Sequence, residues 1–191
     1  SPASNGTVVA FGSDDGTVFA LDIDNGSVLW KLRTGGSVFA PAMIQESTVF
    51  VGSTDNTFYA INVTDGELKW KRDITSRVYG GAAFSRDLVY VGAANGTLYA
   101  LDVNDGTMRW AFETNGVINS APLVSGETVF VGSLDRFLYA VDARTGQPLW
   151  EYRTKGRIKT SLAIWGDYLI AASEDKFLYA FQPVSARSGL E

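Results

Sequence analysis

A block of 40 residues is written four times in this chain and a fifth time in altered form, and this repetition restricts the fold more than any other property. Trp30, Trp70, Trp110 and Trp150 stand 40 residues apart, as do Gly26, Gly66, Gly106 and Gly146. An aromatic-Ala-aliphatic triplet returns as Phe19-Ala20-Leu21, Tyr59-Ala60-Ile61, Tyr99-Ala100-Leu101 and Tyr139-Ala140-Val141, and the fifth copy changes it to Tyr179-Ala180-Phe181. A fixed period of this length marks an architecture built by stacking one supersecondary unit, each copy burying an apolar face against the next. Repeated positions therefore serve the scaffold, and candidate functional residues lie where the copies disagree.

Each copy reads as four short strands, in one period Val78–Phe84, Leu88–Gly92, Thr97–Val103 and Thr107–Glu113. β-branched and aromatic residues fill these runs, polar or Gly-containing breaks separate them, and no stretch keeps a helical period. The break before the fourth strand carries the repeated Gly, which supplies a positive φ as in a hairpin with a G1-type bulge. The break before the third strand is Asp14-Asp15-Gly16 and Ala94-Asn95-Gly96 in two copies, while Asn56, Arg136 and Lys176 take the Gly position elsewhere. Val28, Trp30 and Leu32 read as one packed face of the fourth strand, repeated by Met108, Trp110 and Phe112 and by Pro148, Trp150 and Tyr152. Lys69, Lys71, Arg109 and Glu151 fall on the other, wetter face, as suits an outer edge strand. The first strand carries small residues, such as Ala40-Pro41-Ala42 and Ser120-Ala121-Pro122, which suit a crowded inner position. Small inside, Trp outside and four antiparallel strands per period describe an all-β fold, a propeller blade.

The stretches Gly12-Ser13 to Trp30, Gly52-Ser53 to Trp70, Gly92-Ala93 to Trp110 and Gly132-Ser133 to Trp150 share one motif of Gly, a turn, Tyr-Ala-aliphatic, Gly and Trp. This motif resembles the tryptophan-docking repeat of the PQQ-like, quinoprotein-type β-propellers, and it covers nearly the whole chain. In character the chain is closest to the non-catalytic periplasmic outer-membrane-assembly lipoprotein type. The resemblance implies that Trp30, Trp70, Trp110 and Trp150 wedge between neighbouring blades. It also implies a periplasmic or extracellular location. The expected organisation is a single propeller domain or fragment over 1–191, with repeats near 7–46, 47–86, 87–126, 127–166, a partial copy 167–182 and a tail 183–191. That gives about four to five blades and about 18 strands, starting on a three-stranded blade, against about 32 strands for a ring of about eight blades. The expected chain is then a fragment, a small ring of about five incomplete blades, or an open arc, and an open arc exposes strand edges through which copies of the chain can associate.

Composition removes several function classes. The apolar fraction of 46% and aromatic fraction of 13% are those of a globular chain. A net charge of −5 argues against a nucleic-acid partner, because phosphate binding is driven by concentrated Lys and Arg. With no Cys and no His, this chain builds no disulfide, thiolate nucleophile, Cys/His zinc site or Ser-His-Asp triad. The quinone dehydrogenases of the family resemble one another in a vicinal cysteine pair, absent here, so the expectation is no cofactor and no catalysis. The alternatives are a fragment of such a dehydrogenase and the extracellular sensor domain of a larger signalling protein. No signal peptide is evident in the polar residues 1–6, and the most apolar stretch, 161–172, is interrupted by Gly166 and Asp167, so no membrane span is expected. Leu190-Glu191 resembles a vector-derived remnant, which makes the chain an expected excised piece.

Asp22-Ile23-Asp24-Asn25-Gly26 has the look of a calcium loop but is one residue short of that spacing, so Asx-type turns are expected and metal is not. The sequons at Asn5, Asn25, Asn62 and Asn95 are read as turns too. The most informative disagreement lies at the start of the inner strand. One column reads Ser37, Arg77, Val117, Arg157, and two residues on it reads Phe39, Tyr79, Asn119, Lys159. In a propeller these positions surround the channel mouth, where aromatic, polar and cationic groups form a candidate site for a protein partner or a small anionic ligand. Lys155, Arg157 and Lys159 make the mouth locally basic on an acidic protein. Trp165, where the other copies have Gln45, Ser85 and Ser125, is either a partner anchor or a cap on the end of the arc.

Overall fold

Nineteen strands and no helix are formed over residues 1–182, which are the residues described by the computed structural model. They make five antiparallel sheets in chain order. The first blade holds β1 (Ala3–Ser4), β2 (Val8–Gly12), β3 (Thr17–Asp22) and β4 (Val28–Arg33). The second holds β5 (Met43–Gln45), β6 (Thr48–Gly52), β7 (Thr57–Asn62) and β8 (Leu68–Asp73). The third holds β9 (Ala82–Ser85), β10 (Leu88–Gly92), β11 (Thr97–Asp102) and β12 (Met108–Glu113). The fourth holds β13 (Leu123–Ser125), β14 (Thr128–Gly132), β15 (Phe137–Asp142) and β16 (Pro148–Arg153). The fifth has three strands, β17 (Ala163–Trp165), β18 (Tyr168–Ala172) and β19 (Leu178–Phe181). Residues 183–191, which include the expected tail and Leu190-Glu191, lie outside the described residues.

The interior sits between blades. Val8, Ala10, Val18, Ala20 and Trp30 of the first blade pack with Val49, Val51, Tyr59, Ile61 and Val63 of the second. Two further junctions repeat this arrangement. Each docking indole is held in two ways. Its Nε1 donates to a carbonyl 33 residues on, Trp30 to Val63 at 2.8 Å, Trp70 to Val103 at 2.9 Å and Trp110 to Ala143 at 3.0 Å. Its ring lies against the repeated glycine of the next blade, so that a Cβ on Gly66, Gly106 or Gly146 would come within 2.6–2.7 Å of it. These glycines have φ between +71° and +76°, so they supply the turn and the seat together.

Four expectations are corrected. The first blade, expected to start with three strands, has a fourth, since Ala3 pairs with Ala10 and Ser4 with Val9 within the short polar stretch 1–6. Two small residues carry no alternation to announce a strand. The inner strand expected over Val78–Phe84 begins at Ala82, because the preceding backbone bonds to turns rather than to a ladder partner. The small residues sit mostly just ahead of it, where a Cβ on Gly81 would touch both Pro41 and Ala121 at about 3.5 Å. Lastly, Val28 and Trp30 do not share a face. A bulge sets Ala20 opposite Trp30 but Leu21 opposite Val28, and Val28 and Met108 are exposed as a result.

Candidate functional site

The six mouth candidates Phe39, Arg77, Tyr79, Asn119, Arg157 and Lys159 stand on the segments that leave one blade's outer strand and enter the next blade's inner strand. Each segment is stapled at three points. Val38, Val78, Ile118 and Ile158 are buried against Gly12, Gly52, Gly92 and Gly132, where any Cβ would overlap the branched side chain. The amides of these four residues donate to the carbonyls of Ser13, Ser53, Ala93 and Ser133 in the same blade. The carbonyls of Ser37, Arg77, Val117 and Arg157 accept amides from Thr54, Ala94, Leu134 and Glu174 of the following blade. The buried plug therefore fixes the residues on either side of it, of which Phe39, Arg77, Arg157 and Lys159 are exposed on this rim.

Adjacent blades bring their mouth residues together. The rings of Phe39 and Tyr79 stack with centroids 6.4 Å apart and planes at 28°. The Arg77 guanidinium reaches the Tyr79 hydroxyl at 3.5 Å. Phe39 is 54% exposed, which makes the aromatic pair available to solvent. Lys159 forms an ion pair with Glu174, so its charge is partly answered. Arg77 and Arg157 are exposed and have no salt bridge among the described residues. Asn119 Oδ1 and the Ser120 hydroxyl are buried with no hydrogen-bond partner among the described residues.

The same rim carries a second device between blades. The amides of Gly35, Asn115 and Lys155 donate to carboxylates 20 residues on, Asp55 at 2.7 Å and Asp135 and Asp175 at 2.9 Å. Tyr59, Tyr139 and Tyr179 donate their hydroxyls to the same carboxylates. Burial opposes the charge on Asp55, but the bonds from Tyr59, Gly35 and Thr57 outweigh it and hold its pKa below the ordinary value. Burial, reinforced by the Asp55 carboxylate, pushes Tyr59 up to about 12. The third blade has Asn95 in place of the acid, and its Nδ2 lies 2.9 Å from the Tyr99 hydroxyl.

Other candidates fall elsewhere. Trp165 ends β17, and antiparallel order places the first-to-second strand turn on the rim opposite the mouth. It is 76% exposed and does not join the other six. Asp22 Oδ1 accepts the amides of Asp24 and Asn25, an Asx turn. The sequon asparagines Asn5, Asn25, Asn62 and Asn95 likewise accept an amide two residues on. The sequence reading missed a cleft of ≈ 730 Å³ between the third and fourth blades, lined by Arg86, Arg109 and Arg144. No other copy has Arg in these three columns, so their disagreement was visible in the sequence. Arg109 holds buried Asp102 at 2.6 Å and Arg86 holds Glu127 at 3.2 Å, so acids answer two of the three.

The family model described as outer membrane protein assembly factor BamB matches residues 1–78 and 70–188. The chain belongs to the BamB family. Among solved structures it is similar to BamB from Moraxella catarrhalis, with a TM-score of 0.85 and 26% identity over 95% of this chain and 57% of that one. The chain thus spans little more than half the length of that relative. The computationally designed Ika8 protein superposes with a TM-score of 0.83 at 22% identity, again over 95% of this chain and 57% of that one, which is a likeness of fold. No curated protein matches the sequence. Membership in the BamB family agrees with the PQQ-like repeat, and the five sheets have the expected antiparallel blade order.

Proposed function

We propose that this chain is a non-catalytic binding and assembly scaffold of the outer-membrane assembly type, working in the periplasm, and that the channel mouth holds an acidic segment of a protein partner. The observation that carries this reading is the exposed Phe39–Tyr79 stack beside Arg77, with Arg157 on the same rim. An aromatic pair gives an apolar side chain a surface to lie on, and the guanidinium groups fork onto carboxylates. Because a buried plug and backbone bonds fix each side chain's base, little order is lost on binding. Arg77 and Arg157, which have no salt bridge among the described residues, are the positive groups on this rim that an acidic partner would meet.

A fluorescein-labelled extended peptide of alternating Asp and Phe, titrated by anisotropy, tests the reading. Arg157→Glu is expected to weaken binding by about tenfold or more and to flatten its salt dependence, and Tyr79→Ala to weaken it without changing that dependence. Equal binding of a Ser-Gly peptide, or the same affinity in both variants, removes the mouth from consideration.

A further inference from the structure

Asparagine followed by glycine occurs four times, as Asn5-Gly6, Asn25-Gly26, Asn95-Gly96 and Asn115-Gly116. The dipeptide carries chemistry of its own, because a glycine without Cβ lets its backbone nitrogen approach the carbonyl carbon of the asparagine side chain. Three of the pairs are tied in both halves. The Gly6, Gly26 and Gly96 amides donate to Ser4 Oγ at 3.1 Å, to the Asp22 carbonyl at 2.9 Å and to the Ala93 carbonyl at 3.0 Å. The side-chain carbonyls of Asn5, Asn25 and Asn95 accept the amides of Thr7, Ser27 and Thr97, and Asn95 Nδ2 also meets the Tyr99 hydroxyl. Asn115-Gly116 differs in both halves. Asn115 is exposed, and among the described residues neither its side chain nor the Gly116 amide has a hydrogen-bond partner. The main chain around them is held all the same, by the Asn115 amide on Asp135 at 2.9 Å and by the Thr114 and Ser133 hydroxyls on the Gly116 carbonyl.

We propose that Asn115 is a self-modification site, at which intramolecular deamidation converts the asparagine to aspartate and isoaspartate. The Gly116 nitrogen gives its proton to solvent base and bonds to Asn115 Cγ. The bond from Cγ to Nδ2 breaks, ammonia leaves, and a cyclic succinimide remains. Water then opens the ring at either carbonyl, giving aspartate in one case and, in the other, a main chain routed through the side chain. One water is consumed and one ammonia released, with no change of oxidation state. At the other three sites the same attack first needs a glycine amide and an asparagine side chain to be freed by local opening. The product matters because of its place. Asn115 hands its amide to Asp135 across the third and fourth blades, so the new carboxylate arises close to an existing one, on the rim that carries Arg77 and Arg157. The two like charges oppose each other, and the isoaspartyl form adds a methylene to the main chain within this staple. The age of the folded protein is thereby written on its mouth rim as added negative charge.

The test ages the folded chain in mildly alkaline buffer and follows each Asn-Gly peptide by mass spectrometry, as replacement of the amide NH₂ by OH, with isoaspartyl methyltransferase labelling to count the isomer. Asn115 is expected to convert about tenfold or more faster than Asn5, Asn25 and Asn95, because only those three wait on local opening. In the guanidinium-unfolded chain, where all four have the same following residue, the four rates are expected to be alike. Asn115→Gln, whose extra methylene enlarges the ring that must close, is expected to stay unconverted while the other three sites keep their slow rates. Four similar rates in the folded chain, a lead by another site, or no conversion of Asn115 over a time in which the unfolded chain converts each overturns the proposal. None of these readouts involves the acidic partner of the mouth, so the proposal stands or falls apart from that reading.

Discussion

Gly26 and Gly106 form a matched pair that measures what docking contributes. Both end the same turn with a φ of +71°, so Ala at either site forces an L residue into the left-handed region at about 1–2 kcal/mol. They differ in their surroundings. A Cβ at Gly26 meets nothing within 4 Å, whereas at Gly106 it comes within 2.6 Å of Trp70 Cε3. Relieving that overlap displaces a 92%-buried indole, an overpacking cost of about 1–3 kcal/mol. It also strains the bond of 2.9 Å from Trp70 to the Val103 carbonyl, about 1 kcal/mol if lost. Gly26→Ala is thus expected to cost about 1–2 kcal/mol and Gly106→Ala about 2–6 kcal/mol, the excess being the docking term. Urea unfolding under dilute conditions reads both directly, and each kcal/mol moves the thermal midpoint by roughly 2–4 °C at this chain length. If the two variants agree within about 0.5 kcal/mol, the glycine is a turn residue only and the seat for the indole is an illusion of proximity.

Two further outcomes follow from the same junctions. Trp110→Ala is expected to cost about 3–5 kcal/mol and Trp150→Ala clearly less, because one indole is shut beneath the next blade and the other is partly open; equal shifts in midpoint contradict this. Asp102 is held below its ordinary pKa of 3.8, first by the hydrogen bond from Arg109 and then by the Asn104 amide. Its contribution is therefore fully present above 3.8 and is lost as pH falls through the lower folded value. Asp102→Asn is expected to lower stability near neutrality and flatten the acid limb of a stability-pH curve, and an unchanged limb contradicts it.

The period made the blades legible, because turn glycines, β-branched runs and Trp recur at fixed offsets whatever the neighbours are. What escaped was pairing, as opposed to burial. The segment Ser37 to Ala40 alternates half-buried, buried, exposed and buried like a strand, yet the Val38 amide and the Ser37 carbonyl bond to turns, and a sequence records only the alternation. The bulge that turns Val28 away from Trp30 is a matter of register, which the residue types do not encode. At the mouth, the columns in which the copies disagree include Phe39 and Tyr79, whose rings stack in the structure. The same signal picked out Trp165, read as a partner anchor or an arc cap, and antiparallel order puts it on the other rim.

The offset at which each tryptophan finds its partner also sets a schedule for synthesis. The carbonyl that receives Trp30 lies 33 residues downstream, and the glycine that seats it, Gly66, is further on still. At about 5–20 residues per second the indole of a newly emerged blade waits roughly two to seven seconds before its acceptor leaves the ribosome. During that interval the newest blade has an uncovered apolar flank while all earlier ones are closed. A nascent chain of this kind exposes one blade's worth of sticky surface at a time, however many blades it finally carries, so its demand for chaperones is set by the repeat and not by the length.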